Sequence, residues 1–226
     1  MSNAEVLSAS DADAKRPFFM AIAGNIGVGK TTLTKLIGEK FGWQTYYEKV
    51  INNPYLDDFY ADMSRWSFNL QVFFLSRRFI DQRAISSSSE PCIQDRSIYE
   101  DAEIFAYILH KQGYMSDRDY ENYRDLFYVM TDYLRKPDLI VYLRASTWTL
   151  ITRIRKRGRD FEKRITVDYL HELNEAYEHW IKSIQGKWRI LVVDADRVDF
   201  EKDPAQLESI YQQIAQYSRK EAEAAS

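Results

Sequence analysis

This 226-residue sequence predicts an α/β fold, a five-stranded parallel sheet with helices on both faces. Three observations carry the prediction. Short apolar runs alternate along the chain with long amphipathic stretches, the pattern of strands buried under crossover helices. The first apolar run opens directly onto a glycine-rich turn that enters a helix. No internal repeat and no Gly- or Pro-rich linker divides the chain, and its length suits one core.

Taken in order, "FFMAIA" at 18–23 is the first strand, and 30–41 is a helix stopped by Gly42. "TYY" at 45–47 is the second strand. A helical region follows from 57 to 85, with a break near Met63 and a serine run, 86–89, closing it. "CIQ" at 92–94 is the third strand, followed by a helix over 99–112 ended by Gly113 and another over 117–135 ended before Pro137. "LIVYL" at 139–143 precedes a helix at 147–157 that runs into "RGR", and one more helix covers 167–184. "ILVVD" at 190–194 is the fifth strand, and Pro204 opens the last helix at its first turn. Residues 1–16 are polar and aperiodic and read as a flexible N-terminal segment, leaving 17–226 as one domain with a lid at about 153–164.

A net charge of -3 gives the molecule no broad positive field for nucleic acid or an acidic membrane, so any basic site is local. No apolar run reaches membrane-spanning length and the N-terminus lacks a signal-peptide layout, so the expectation is a soluble, cytoplasmic protein without membrane or nucleic-acid partners. The single cysteine, Cys92, excludes an internal disulfide and reads as a small core residue. His171 and His179 stand eight apart, which is not ligand spacing. Trp66, Leu70, Phe73 and Phe74 recur at helical spacing as core or subunit contacts, and a homodimer through helices is the expectation drawn from them.

Residues 24–31 match G-x-x-x-x-G-K-[ST], between a buried strand and an amphipathic helix. Gly24, Gly27 and Gly29 allow the tight turn that aims backbone N–H groups at phosphate oxygens, and the helix N-terminus adds a favourable dipole. The expected cradle comprises Gly24, Asn25, Ile26, Gly27, Val28, Gly29, Lys30, Thr31 and Thr32. Within it Lys30 reaches the β and γ phosphates and the Thr31 hydroxyl ligates magnesium. The loop implies a bound nucleoside triphosphate without choosing the phosphate's acceptor.

Three further segments bear on that choice. Glu48 follows the second strand, where a carboxylate can take the proton of an attacking hydroxyl, or lie solvated in a loop. "DRSIYED" follows the third strand: Asp95 is placed to help hold magnesium and Arg96 offers a planar fork, while Ser97 and Glu100 have capping-box spacing. "RIRKRGRDFEKR", 153–164, sets seven basic residues against two acidic ones. It reads as a lid that brings arginines to a transferring phosphoryl group, with a nucleic-acid patch or a solvated helix end as alternatives.

The order of these motifs, from phosphate loop and strand-end glutamate through "LQ" on a helix and D-R-S to R-x-x-x-R-G-R, resembles the deoxynucleoside kinase family over about 18–200. The "NNPYLDDFY…RWSFNLQVFFLSRRF" segment resembles its bacterial deoxyadenosine kinases. The resemblance implies a phosphate-loop kinase fold and ATP-dependent phosphorylation of a 5′-hydroxyl, with Mg²⁺ held by Thr31 and Asp95. It makes Glu48 the general base and Arg96 the group that orients the hydroxyl and base. Tyr60 and Glu162 fall at positions that hold the 3′-hydroxyl. Gln71, Arg78 and Asp101 fall at those that read the base edge, and Phe105 at the aromatic that stacks on it. Arg153, Arg157 and Arg159 match the lid arginines, and "DADRVDF", with Asp194, Asp196 and Phe200, the loop around the donor adenine. Phe161 and Phe74 depart from residues that some relatives carry.

A carboxylate–arginine pair suits an amino-bearing base, because the carboxylate accepts from an exocyclic amine and thymine would present a carbonyl there. Deoxyadenosine is the favoured acceptor, with deoxyguanosine or deoxycytidine beside it. The alternatives are a nucleoside monophosphate kinase such as a thymidylate kinase, or a nucleotide-binding regulatory module without catalysis.

Overall fold

The computed structural model describes residues 16–48 and 53–224, with side chains to 219. Apart from residue 16, the N-terminal segment expected to be flexible lies outside the described residues. Five strands, β1 (Phe19–Gly24), β2 (Gln44–Tyr46), β3 (Cys92–Asp95), β4 (Leu139–Arg144) and β5 (Ile190–Asp194), form one sheet in the order β2-β3-β1-β4-β5. Every pairing is parallel, with Ile22 opposite both Asp95 and Val141. The chain leaves β1 for the β2 side and later crosses to β4, so the reversal of direction falls beside β1. Ligands of such sheets bind there, at the strands' C-terminal ends.

The helices are α1 (Lys30–Phe41), α2 (Leu56–Ala61), α3 (Met63–Ser86), α4 (Ile98–Glu100), α5 (Tyr107–Lys111), α6 (Asp117–Thr131), α7 (Thr147–Arg157), α8 (Val167–Ile184) and α9 (Pro204–Ala224). α1 covers the face that carries Ile22 and Asp95, where Thr31 reaches Asp95. α8 covers the opposite face, its Tyr177 ring stacked on Tyr142 of β4 at 5.8 Å. One apolar cluster runs from Phe18 to Ile214 through both layers, and Cys92 is buried in a smaller one with Phe19 and Ile85.

Caps set most boundaries where the sequence placed them. The side chains of Asp62, Ser116, Ser146 and Thr166 accept from Arg65, Asp119, Thr149 and Tyr169 N–H groups at the starts of α3, α6, α7 and α8. Gly42 and Gly158 end α1 and α7 at φ near +70°.

Two expectations need correction. The helix expected over 117–135 stops at Thr131: Leu134 N–H donates to the Thr131 carbonyl, a tighter turn than an α-helix allows, and Arg135 is drawn aside to Pro17 and Asp138. The helix expected over 99–112 is interrupted by a π-helical segment, Asp101–Ala106, which joins α4 to α5. Single π turns recur at functional sites because they re-aim side chains without ending the helix, and this one carries Asp101 and Phe105.

Candidate active site

A cleft of about 640 Å³ opens at the C-terminal ends of the strands, and most of the residues singled out above line it. From the phosphate loop come Ile26, Gly27, Gly29, Lys30, Thr31 and Thr32. Gly27 and Gly29 take φ of +82° and +109°; a side-chain Cβ at Gly27 would also lie 2.7 Å from Ile154. Glycine is what lets the loop turn tightly under the lid helix.

Gly24, Asn25 and Val28 do not line the cleft but hold the loop from behind. Gly24 N–H donates to Glu100 Oε1 at 3.2 Å. Asn25 Nδ2 donates to the Leu170 carbonyl and to Asn174 of α8, at 3.0 and 2.7 Å. The Val28 carbonyl accepts from Arg153 at 2.8 Å.

Lys30 Nζ donates to the carbonyls of Gly24 and Asn25 at 2.8 and 3.1 Å. Burial, reinforced by Arg96, brings its ammonium down to about 8. Thr31 Oγ1 donates to Asp95 Oδ2 at 2.5 Å, and the buried Asp95 Oδ1 has no hydrogen-bond partner. Burial lifts the Asp95 carboxyl, against the pull of Lys30. A hydroxyl and a carboxylate oxygen with spare capacity, beside the loop, fit a magnesium ion, which takes one or two protein ligands and completes its shell with phosphate and water.

Across the cleft lies a buried charge network. Glu48 Oε1 accepts from Arg78 Nη2 at 2.6 Å and from Arg96 Nε at 2.9 Å. Arg78 Nε donates to Asp101 Oδ2 at 2.5 Å. Burial alone would raise the Glu48 carboxyl, but Arg96, Arg78 and Lys30 outweigh it and hold it at about 2. Burial likewise pushes the Asp101 carboxyl up, with Arg78 pulling the other way. Both guanidiniums lose hydration, but the surrounding carboxylates more than compensate and raise them above their usual range. The Arg96 guanidinium sits 4.4 Å over the Phe105 ring and that of Arg78 5.5 Å over Phe74. Gln71 is buried in the same wall, its Oε1 unpaired.

The lid folds over this wall as a 3₁₀ turn, Asp160–Arg164. Phe161 lies parallel to Tyr60 of α2, with ring centroids 6.3 Å apart. The buried Glu162 receives Arg157 through Nε and Nη2 at 3.1 and 2.5 Å, and Arg159 stands 3.5 Å away. Arg153 takes a different part from the other two lid arginines. Its guanidinium donates to the carbonyls of Val28 and Ala195, and so ties the phosphate loop to the 195–200 turn.

Phe200 of that turn packs near Gly29 and lines the cleft, whereas Asp194 and Asp196 do not. Asp196 accepts from the N–H and hydroxyl of Ser146 at the start of α7, and Asp194 pairs with Arg197. Val198 and Asp199 of the "DADRVDF" stretch also line the cleft, and sequence reasoning missed Glu201, Tyr47, Phe59 and Tyr169. It read Glu100 as a cap alone. Glu100 Oε2 does accept from Ser97 N–H and Oγ, but its Oε1 also accepts from Gly24 and Tyr177.

A phosphate loop facing an ionised carboxylate, buried arginines and an apolar slot, under an arginine-bearing lid, defines a phosphotransferase of the phosphate-loop class that acts on a small aromatic acceptor. Residues 20–218 match the family model "Deoxynucleoside kinase". The chain is 40% identical over 198 residues to a deoxyadenosine/deoxycytidine kinase of Bacillus subtilis, covering 87% of this chain and 91% of that one. It is 40% identical to a B. subtilis deoxyguanosine kinase, covering 85% and 93%. It is 42% identical over 165 residues to a deoxyadenosine kinase of Dictyostelium discoideum, covering 73% and 67%. A structure of deoxyadenosine kinase from M. mycoides, with dCMP and dCDP bound, superposes at a TM-score of 0.80 with 32% identity, over 88% of this chain and all of that one. A structure of the same kinase with dATP bound gives 0.78 at 31% identity, with the same coverage. The chain belongs to the deoxynucleoside kinase family. It is a phosphotransferase that moves a phosphoryl group from ATP to a deoxynucleoside.

Proposed function

We propose that the acceptor is deoxyadenosine first, with deoxyguanosine or deoxycytidine beside it, and that the product is the 5′-monophosphate. The observation that carries this reading is the Arg78–Asp101 pair at 2.5 Å, buried at the head of the acceptor wall beside Glu48. Asp101 accepts from an exocyclic amine, which adenine, cytosine and guanine have and thymine lacks, while Arg78 and Gln71 meet a ring nitrogen. The relatives named for deoxyadenosine support that choice, and the one named for deoxyguanosine, equally similar, keeps that base beside it.

In this reading Phe105 stacks on the base, and Tyr60 and Glu162 hold the sugar. Glu48, ionised throughout the physiological range, takes the proton of the 5′-hydroxyl as that oxygen bonds to the γ-phosphorus and the β–γ bridge breaks toward ADP. The two guanidinium partners of Glu48 make the carboxylate a weak base, which suits proton transfer late in a loose phosphoryl transition state. Lys30 and the loop amides hold the donor phosphates, and Arg157 and Arg159 face the charge that develops on them. Thr31 and Asp95 would hold magnesium, which supplies positive charge to those phosphates.

Two coarser features complete the proposal. Leu126 and Val129, at i and i+3 on α6, and Tyr133, two residues past its end, are 41%, 62% and 81% exposed, which supports a homodimer through helices. The free, buried Cys92 agrees with a reducing, cytoplasmic setting. No helix among the described residues is long and apolar enough to cross a membrane.

Competition among deoxyadenosine, deoxycytidine, deoxyguanosine and thymidine for limiting enzyme and ATP tests the base assignment. Deoxyadenosine is expected to have the highest kcat/KM, with thymidine about 10²-fold lower or more. Preference for thymidine would reject it.

A further inference from the structure

We propose that Tyr177 is a positioning residue for phosphoryl transfer, its hydroxyl holding the Arg96 fork against Glu48 and tying it, through Glu100, to the first amide of the phosphate loop. The starting observation is the backbone of Arg96. Among the described residues it alone is a non-glycine residue with positive φ, +68°. Such a residue persists only where its surroundings over-determine it, and these residues cluster where geometry serves chemistry.

Arg96 is gripped on every side. Its N–H donates to the Ile22 carbonyl at 3.0 Å and its own carbonyl accepts from Arg78 at 3.2 Å. Nε goes to Glu48, and Nη1 donates to the Tyr177 hydroxyl at 2.6 Å. That hydroxyl donates in turn to Glu100 Oε1 at 2.8 Å, the oxygen that also accepts from Gly24 N–H and stands 3.5 Å from Arg96 Nη1, so the hydroxyl bridges a pair too far apart for a good direct hydrogen bond. A phenol has one proton to give, so accepting from Arg96 fixes where it points. The acceptor-side arginine and the root of the donor loop are thereby joined through two buried side chains, neither of which lines the cleft.

The Tyr177 ring has separate work. It is fully buried, stacks on Tyr142 and meets Phe105 and Trp180 edge-on. Phenylalanine would keep those contacts and lose only the hydroxyl link, so packing and positioning can be measured apart.

The inference rests on the role given to Arg96 above, and a double-mutant cycle separates the two. Tyr177→Phe is expected to lower kcat about tenfold while the KM for ATP stays within about twofold. In an Arg96→Lys background it should have little further effect, because the group it orients is already gone. Wild-type kcat in Tyr177→Phe, or full additivity with Arg96→Lys, would overturn the inference. Wild-type kcat in Arg96→Lys would instead remove the assignment of Arg96. If Tyr177→Phe melts below the assay temperature, the cycle is run at a lower temperature at which both single variants and the double variant are folded, where non-additivity supports the link and additivity rejects it.

Discussion

Replacing Glu48 by glutamine separates what this carboxylate does chemically from what it does structurally. Its Oε1 accepts from two guanidiniums, at 2.6 and 2.9 Å, and the amide oxygen of glutamine can accept both. The side chain should therefore stay in place while losing its capacity to take a proton. Removing a general base typically costs 10²–10⁴-fold, or about 3–5 kcal/mol of barrier. Arg78, Arg96 and Lys30 would be left with less opposing charge, a ground-state effect that appears in KM and in the melting temperature rather than in kcat. The assay is ADP release with saturating ATP and varied deoxyadenosine, alongside a thermal melt. A kcat lower by 10²-fold or more, with deoxyadenosine KM within a few-fold, is the expected outcome. Retention of more than a tenth of kcat would refute the assignment. The wild-type enzyme offers a check on the same reasoning: Glu48, held at about 2, titrates far below the working range. Glu48 of the free enzyme therefore contributes no acid limb to kcat/KM between pH 5 and 7.

Three other outcomes follow from the same geometry. Lys30, brought down to about 8, carries its charge below that pH and loses it above; kcat/KM for ATP should hold steady to about pH 7.5 and then fall by about tenfold per unit, and a profile flat to pH 9.5 would contradict it. Asp101→Asn exchanges a charged acceptor for a group that also donates, so kcat/KM should fall roughly 10- to 150-fold for deoxyadenosine and the ratio to thymidine should narrow; an unchanged ratio would detach Asp101 from the base. Asp95→Asn should raise the magnesium concentration needed for half-maximal rate by about tenfold or more, and an unaltered magnesium titration would remove Asp95 from the metal.

The parts of the fold and site that could be read from sequence are those with local causes. The apolar runs of β1 and β4 are buried on both faces and stand out against amphipathic helices, and each strand lies within one residue of its expected bounds. The phosphate loop, Glu48 and the D-R-S turn sit at strand ends, which sequence order alone brings to one edge of a parallel sheet. What escaped has non-local causes. Glu100 and Tyr177 are 77 residues apart, and S-x-x-E spacing accounts for the glutamate as a cap without revealing its second oxygen. The π segment depends on α3, α6 and α8 packing around Asp101–Ala106, which periodicity does not record. Arg153 lines the cleft, but its bonds to the carbonyls of the 195–198 turn could not be read from its spacing. Asp194 and Asp196 fall in a stretch that reaches the cleft through Val198, Asp199 and Phe200, while their own carboxylates serve α7 and Arg197.

The central claim is that the acceptor is a nucleoside hydroxyl, and product analysis tests it most directly. Enzyme, ATP–Mg²⁺ and deoxyadenosine should yield ADP and the 5′-monophosphate in equal amounts by phosphorus NMR and mass spectrometry, while deoxyadenosine monophosphate offered instead should give no diphosphate. Turnover of the monophosphate but not of the nucleoside, or ADP formed without a phosphorylated nucleoside, would contradict it.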